Sequence, residues 1–146
     1  GNNRANSLIV GGLKVGMNVA VATPDGYKPD GAVLEFTKGY GDKFALETDP
    51  FMAASGADIL ITDTWTSMGE EAEKEERKKI FKDYQINRQL LAAANAGAMV
   101  QHCLPAYRGQ EITEEVFEEH ADEIFNEAEN RLHAQKAVMV KLMKKD

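Results

Sequence analysis

Cysteine is almost missing from this sequence: Cys103 is the only one among 146 residues. No disulfide can close within the chain, so nothing points to an oxidising compartment. No apolar run approaches the roughly 18 residues that span a bilayer. The opening Gly1-Asn2-Asn3-Arg4 has none of the apolar core of a signal peptide. A cytoplasmic location with no membrane partner is the default expectation. Positive charge is also in short supply, with a net charge of -7. Nucleic acid and anionic membranes repel such a chain on average, so neither is an expected partner. A small anionic substrate escapes that argument, because a pocket needs only a few local donors. No internal repeat, low-complexity tract or linker divides the chain. No set of His, Cys, Asp and Glu has metal-ligand spacing, so no metal or other cofactor is expected.

What remains is ordinary globular material. Hydrophobic residues make up 43% and charged residues 28%, enough to build one core, so residues 1–146 are expected to form a single domain. Three apolar, β-branched runs predict buried strands at Asn18 to Ala22, Asp58 to Thr62 and Ala98 to His102. Lys43 to Glu47 is a weaker fourth. Short runs that are apolar throughout, rather than alternating, fit a parallel sheet covered on both faces. Helical spacing falls between them, at Asn6 to Val15, Asp30 to Tyr40, Glu70 to Tyr84, Asn87 to Asn95 and Glu129 to Lys145. Asp49-Pro50 marks another short helix. The alternation predicts an α/β fold, doubly wound, with a mainly parallel sheet and helices on both faces. Such a unit ordinarily begins with a strand. This sequence goes straight from Gly1-Asn2-Asn3 into a helix and so reads as truncated just after its first strand.

In open α/β sheets ligands bind at the carboxyl ends of the strands. After the strand ending at Thr62 comes Asp63-Thr64-Trp65-Thr66-Ser67-Met68-Gly69. After the run ending at Gln101 comes His102-Cys103-Leu104-Pro105. With Asn2-Asn3 ahead of the first helix, these segments are expected to converge on one rim. They offer a carboxylate, a hydroxyl, an amide, an imidazole and a thiol. A carboxylate holds an ammonium group, and N–H groups at a helix start hold a carboxylate, so the set suits an amino acid. A thiol or thiolate beside an amine can also help it lose a proton. Each piece has a plainer reading. Asp63 and Ser67 could cap the next helix, Cys103 could be a small packed hydrophobe, and Trp65 and His102 could be packing residues. His120 and His133 carry no assignment, and Glu70 to Lys79 reads as a solvated face with i,i+4 ion pairs. Gly11-Gly12-Leu13-Lys14-Val15-Gly16 looks like a nucleotide loop, but it ends a helix instead of joining a strand to one.

Taken together, Asp63-Thr64-Trp65 followed by Ser67-Met68-Gly69, and His102-Cys103-Leu104-Pro105, resemble the two ornithine signatures of the ornithine carbamoyltransferases. Gly1-Asn2-Asn3, Ala22 to Tyr27 and Glu129-Asn130-Arg131 extend the resemblance along essentially the whole chain. It implies the ornithine-binding domain of that family, with a Rossmann-like fold. It also implies transfer of the carbamoyl group of carbamoyl phosphate to the δ-amine of L-ornithine, giving citrulline and phosphate. By position, Asn3 and the Met68 backbone would hold the α-carboxylate and α-amino end of ornithine. Asp63 and Ser67 would hold its ammonium groups. Cys103 would sit at the δ-amine, with Asp63 helping to deprotonate it. His102 and Arg131 would polarise the carbamoyl oxygen, and the Leu104 carbonyl would accept from the carbamoyl amide. The Ser-x-Arg-Thr motif of the carbamoyl-phosphate domain does not occur, so that ligand is expected to require another half. The resemblance implies a parent that is a homotrimer or larger, and Tyr107 replaces a histidine of many bacterial relatives. The chain alone is expected to be inactive or nearly so. A stand-alone amino-acid-binding module and a truncation product without function are the alternatives.

Overall fold

A computed structural model describes residues 3–66 and 74–144. The chain divides into two compact units, Gly1–Gly56 and Ala57–Asp146, each taken here by itself. Both are α/β, and each carries its own two-stranded parallel sheet.

The first unit runs α1 (Asn3–Lys14), β1 (Val19–Ala22), α2 (Gly31–Thr37), a 3-10 segment (Lys38–Lys43), β2 (Phe44–Glu47) and α3 (Pro50–Ala54). Ile9 and Leu13, one helical turn apart, are the buried residues of α1. The helix closes at its glycines. Gly16 N–H bonds to Leu13 O and Met17 N–H to Gly12 O, with Gly16 at φ +90°. That is the double closure typical of a left-handed residue just past a helix end, so the Gly11–Gly16 segment is a helix stop. Asn6 and Asp30 bind each other reciprocally, Asn6 Nδ2 to Asp30 Oδ2 at 2.8 Å and Asp30 N–H to Asn6 Oδ1 at 3.2 Å. β1 and β2 pair in parallel from Val19 opposite Phe44 to Ala22 opposite Glu47. The helix expected up to Tyr40 stops at Thr37 and tightens, because Gly41 takes φ +54° inside the next segment. At α3 the Asp49 side chain accepts from Phe51 N–H at 2.9 Å ahead of Pro50, a normal helix start.

The second unit runs β3 (Ile59–Thr62), α4 (Lys74–Phe81), a 3-10 turn (Lys82–Tyr84), α5 (Arg88–Ala93), β4 (Met99–His102), α6 (Glu114–Glu119) and α7 (Ala121–Met143). Asn87 caps α5 through Leu90 N–H, and Thr113 caps α6 through Val116 N–H. Across α5 and α6, Arg88 bonds to Glu115 at 2.9 Å and to Glu119. Those carboxylates, Glu115 first, hold its guanidinium above the ordinary arginine range. The core here is Val100, Ile112, Val116 and Ile124, all fully buried. Ile124 belongs to the first turns of α7, which pack on β4. Glu123 Oε2 accepts Val100 N–H at 2.8 Å, satisfying a strand donor that points away from β3. Beyond Glu129 the helix is exposed, including Leu132, Val138, Val140 and Leu142. Among the described residues no helix is long and apolar enough to cross a membrane.

One helix provides a two-way test. Gly11 is helical with open space where a Cβ would go, so Gly11→Ala should raise stability by about 0.5–1 kcal/mol. Gly16 has the same open space but positive φ, so Gly16→Ala should cost about 1–2 kcal/mol. Urea midpoints followed by helical circular dichroism check both signs.

Candidate functional site

Parallel pairing in the second unit sets Thr62 of β3 opposite His102 of β4. The next residue on each strand is Asp63 and Cys103, so the register places a carboxylate beside a thiol at the carboxyl ends of adjacent strands. Cys103 Sγ donates to Asp63 Oδ1 at 3.0 Å. The same oxygen accepts Thr64 N–H at 2.8 Å. Asp63 is half-buried and Cys103 is buried.

His102 is fully buried and so is Glu111. His102 Nε2 lies 2.9 Å from Glu111 Oε1, and Leu104 N–H points at His102 Nδ1 at 2.9 Å. A backbone N–H can only donate, so Nδ1 is the acceptor and Nε2 carries the ring proton toward Glu111. Tyr107 N–H donates to the same carboxyl oxygen at 2.6 Å. The other oxygen, Glu111 Oε2, is buried with no hydrogen-bond partner among the described residues. Leu104 sits at φ +57° and joins Pro105 through a cis peptide. A left-handed leucine costs on the order of 1 kcal/mol, and its N–H bond to the buried imidazole helps hold it there. His102 is thus committed on both nitrogens. While these bonds hold, no ring N–H is left to donate.

The remaining expected residues divide. Arg131 is exposed on α7 and makes none of the bonds just described. Asn3 opens α1 in the first unit, exposed, with its carbonyl accepting Ser7 Oγ at 3.0 Å. Ser67 and Met68 lie outside the described residues, as does part of the 70–79 segment. In the described part, Lys78 pairs with Glu75 at 2.9 Å, at i,i+3 spacing in place of the i,i+4 pairs expected of that face. Arg77 behaves otherwise, bonding to the Trp65 carbonyl. Sequence reasoning missed Glu111, which in Arg108-Gly109-Gln110-Glu111 reads as a solvated turn. Spacing also hid one grouping: Asp63, His102 and Cys103 each offer a ligand atom within 4.8 Å of the others. Carboxylate, imidazole and thiolate are a donor set that zinc accepts. Here both imidazole nitrogens would first have to leave Leu104 and Glu111.

Residues 1–142 match the family described as aspartate/ornithine carbamoyltransferase, Asp/Orn binding domain. The chain is similar to an ornithine carbamoyltransferase of Gloeobacter violaceus, 56% identical over 98% of this chain and 47% of the relative. It is similar also to one of Thermococcus kodakarensis, 48% identical over 98% of this chain and 47% of the relative. Among solved structures it is similar to an anabolic ornithine carbamoyltransferase of Campylobacter jejuni. That likeness has a TM-score of 0.88 and 43% identity, covering 94% of this chain and 47% of that one. The chain therefore spans about half the length of the curated relatives it matches.

The buried pair gives an asymmetric prediction. His102→Leu leaves Glu111 buried without its imidazole donor and should cost about 3 kcal/mol or more. Glu111→Gln keeps an acceptor oxygen and should cost about 1 kcal/mol. Urea unfolding of both variants checks the order, and equal costs would contradict the assigned tautomer.

Proposed function

Because the chain belongs to the Asp/Orn-binding domain family of the aspartate/ornithine carbamoyltransferases, we propose that its Asp63–Cys103 rim receives the δ-amine of L-ornithine. The observation that carries this reading is the contact of Cys103 Sγ with Asp63 Oδ1 at 3.0 Å, at the strand ends where open α/β sheets bind ligands. The Gloeobacter violaceus and Thermococcus kodakarensis relatives bear the name of the ornithine enzyme, which supports ornithine over aspartate.

The reaction is carbamoyl transfer. The neutral δ-nitrogen attacks the carbonyl carbon of carbamoyl phosphate. The new C–N bond forms, the C–O bond to phosphate breaks, and the amine gives up one proton. Citrulline and phosphate result. An aliphatic amine enters as an ammonium, so a proton acceptor at its resting place is a requirement of the chemistry. Asp63 holds the ammonium by charge and takes its proton, with the Cys103 sulfur completing the seat. The Leu104 carbonyl faces the carbamoyl amide, and Arg131 polarises the carbamoyl oxygen. His102 acts at one remove: it holds the Leu104 N–H, and Glu111 holds His102. Asn3, Ser67 and Met68 keep the ornithine-binding roles that the resemblance gives them. Carbamoyl phosphate is bound by sequence outside this chain, so this half is silent by itself. The setting is cytoplasmic amino-acid metabolism, in a parent that is a homotrimer or larger.

Calorimetric titration with L-ornithine should give a saturable heat that Asp63→Asn abolishes. Mixing the chain with the half of the Gloeobacter violaceus relative that it does not match should yield citrulline. Cys103→Ala should slow that complemented reaction by about 100-fold. An unchanged rate in Cys103→Ala would remove the thiol from the mechanism, and no heat with ornithine would remove the substrate.

A further inference from the structure

Trp65 is the only tryptophan in the chain, and the reaction as derived gives it no part. It is nevertheless held firmly. Arg77 Nη1, on α4, donates to the Trp65 carbonyl at 3.2 Å. Phe81 stacks on the indole with ring centroids 6.1 Å apart and planes 27° from parallel. Tyr84 meets Phe81 edge-on at 5.8 Å. Arg77 and Phe81 are one helical turn apart, so one face of α4 provides both contacts.

The position of this latch matters more than its strength. Asp63 and Thr64 are the only residues between two fixed points. One is Thr62, in the ladder opposite His102. The other is Trp65, fixed at its carbonyl and its ring. A carboxylate on a short span tethered at both ends has little freedom to swing away from its partner. Sites whose geometry is locked by such support keep their groups in the productive pose before ligand arrives.

We propose that Arg77 and Phe81 are positioning residues: by holding Trp65, they keep the Asp63 carboxylate against the Cys103 thiol. The functional meaning rests on reading Asp63 and Cys103 as the amine seat, but the first test needs no ligand. Cys103 is the only thiol, so alkylation by iodoacetamide reports on one site.

Arg77→Met keeps the aliphatic stem and removes the donor. Its Cys103 should alkylate about tenfold faster than in the parent chain, because Asp63 no longer covers the sulfur. The tryptophan emission should shift to the red, with the melting temperature nearly unchanged. Arg77→Lys, which restores a donor, should bring the alkylation rate most of the way back. Phe81→Leu should move the rate in the same direction as Arg77→Met, and it decides the matter if Arg77→Met fails to fold. Parent-like alkylation in either folded variant overturns the proposal, and so does a lowered melting temperature with an unchanged rate. A separate ornithine titration distinguishes the two readings. If the parent chain binds ornithine, Arg77→Met should weaken binding about tenfold. If the parent chain binds none, the amine-seat reading fails while the alkylation rates still decide the latch.

Discussion

β3 and β4 lie in a parallel ladder whose last pair is Thr62 opposite His102. In a parallel ladder neighbouring side chains point to the same face at the same height. Residues 63 and 103, forty positions apart in sequence, therefore emerge side by side. Shifting the ladder by one residue would turn either Asp63 or Cys103 to the opposite face and separate carboxylate from thiol. The alternation along β4 makes such a slip expensive. Val100 and His102 are fully buried on one face, while Met99 is exposed on the other. A slip would bring methionine inside and expose an imidazole whose two nitrogens are already bonded. The core thus enforces the register, and the register builds the rim.

The second support comes from the loop after β4. Glu111 gathers His102 Nε2 and Tyr107 N–H on one oxygen. Its own backbone carbonyl accepts Ile86 N–H at 2.9 Å, and Gln85 Nε2 binds the neighbouring Gln110 carbonyl. The chain leaving Pro105 is thereby folded back onto the segment before α5. A buried carboxyl group with an unpartnered second oxygen is a costly element. What it secures is the one left-handed non-glycine residue among those described, Leu104. The strain at Leu104 and the burial of Glu111 are two ends of one arrangement, linked through the imidazole.

This division explains what could be read in the sequence. The four strands were legible to within one residue, because apolar β-branched runs bounded by turn residues depend on local chemistry. The helix stop at Gly16 was legible for the same reason. Asp63 and Cys103 stood out as residue types at strand ends, but their contact did not, since it depends on a register that no local pattern encodes. Glu111 was hidden because a glutamate beside glycine and glutamine looks solvated until the fold closes over it. His102 was legible as important, but its bonds to Glu111 and to the Leu104 N–H were not, because both partners depend on how the following loop closes. Helix α6 was missed although its signal was present, Thr113 ahead of Glu114 and Glu115 being an ordinary helix start. Its six residues carry too short a period to stand out. The beginning of α7 was lost for the related reason that Asp122 and Glu123 disguise Ile124, the one buried residue of that helix.

The contact at the rim bears on the proposed chemistry further. There the Cys103 sulfur donates and the Asp63 carboxylate accepts. If the rim seats an ammonium as proposed, the carboxylate is the group that accepts from it, in place of the thiol. That exchange is local: Thr64 N–H continues to hold the same oxygen at 2.8 Å. A carboxylate that gives up one donor and gains a charged one has no reason to move. On that proposal, the group that holds the cation is also in place to receive its proton. The proposed exchange requires Asp63 to stay put, which is why the anchoring of Trp65, two residues on, bears on it as directly as the thiol does.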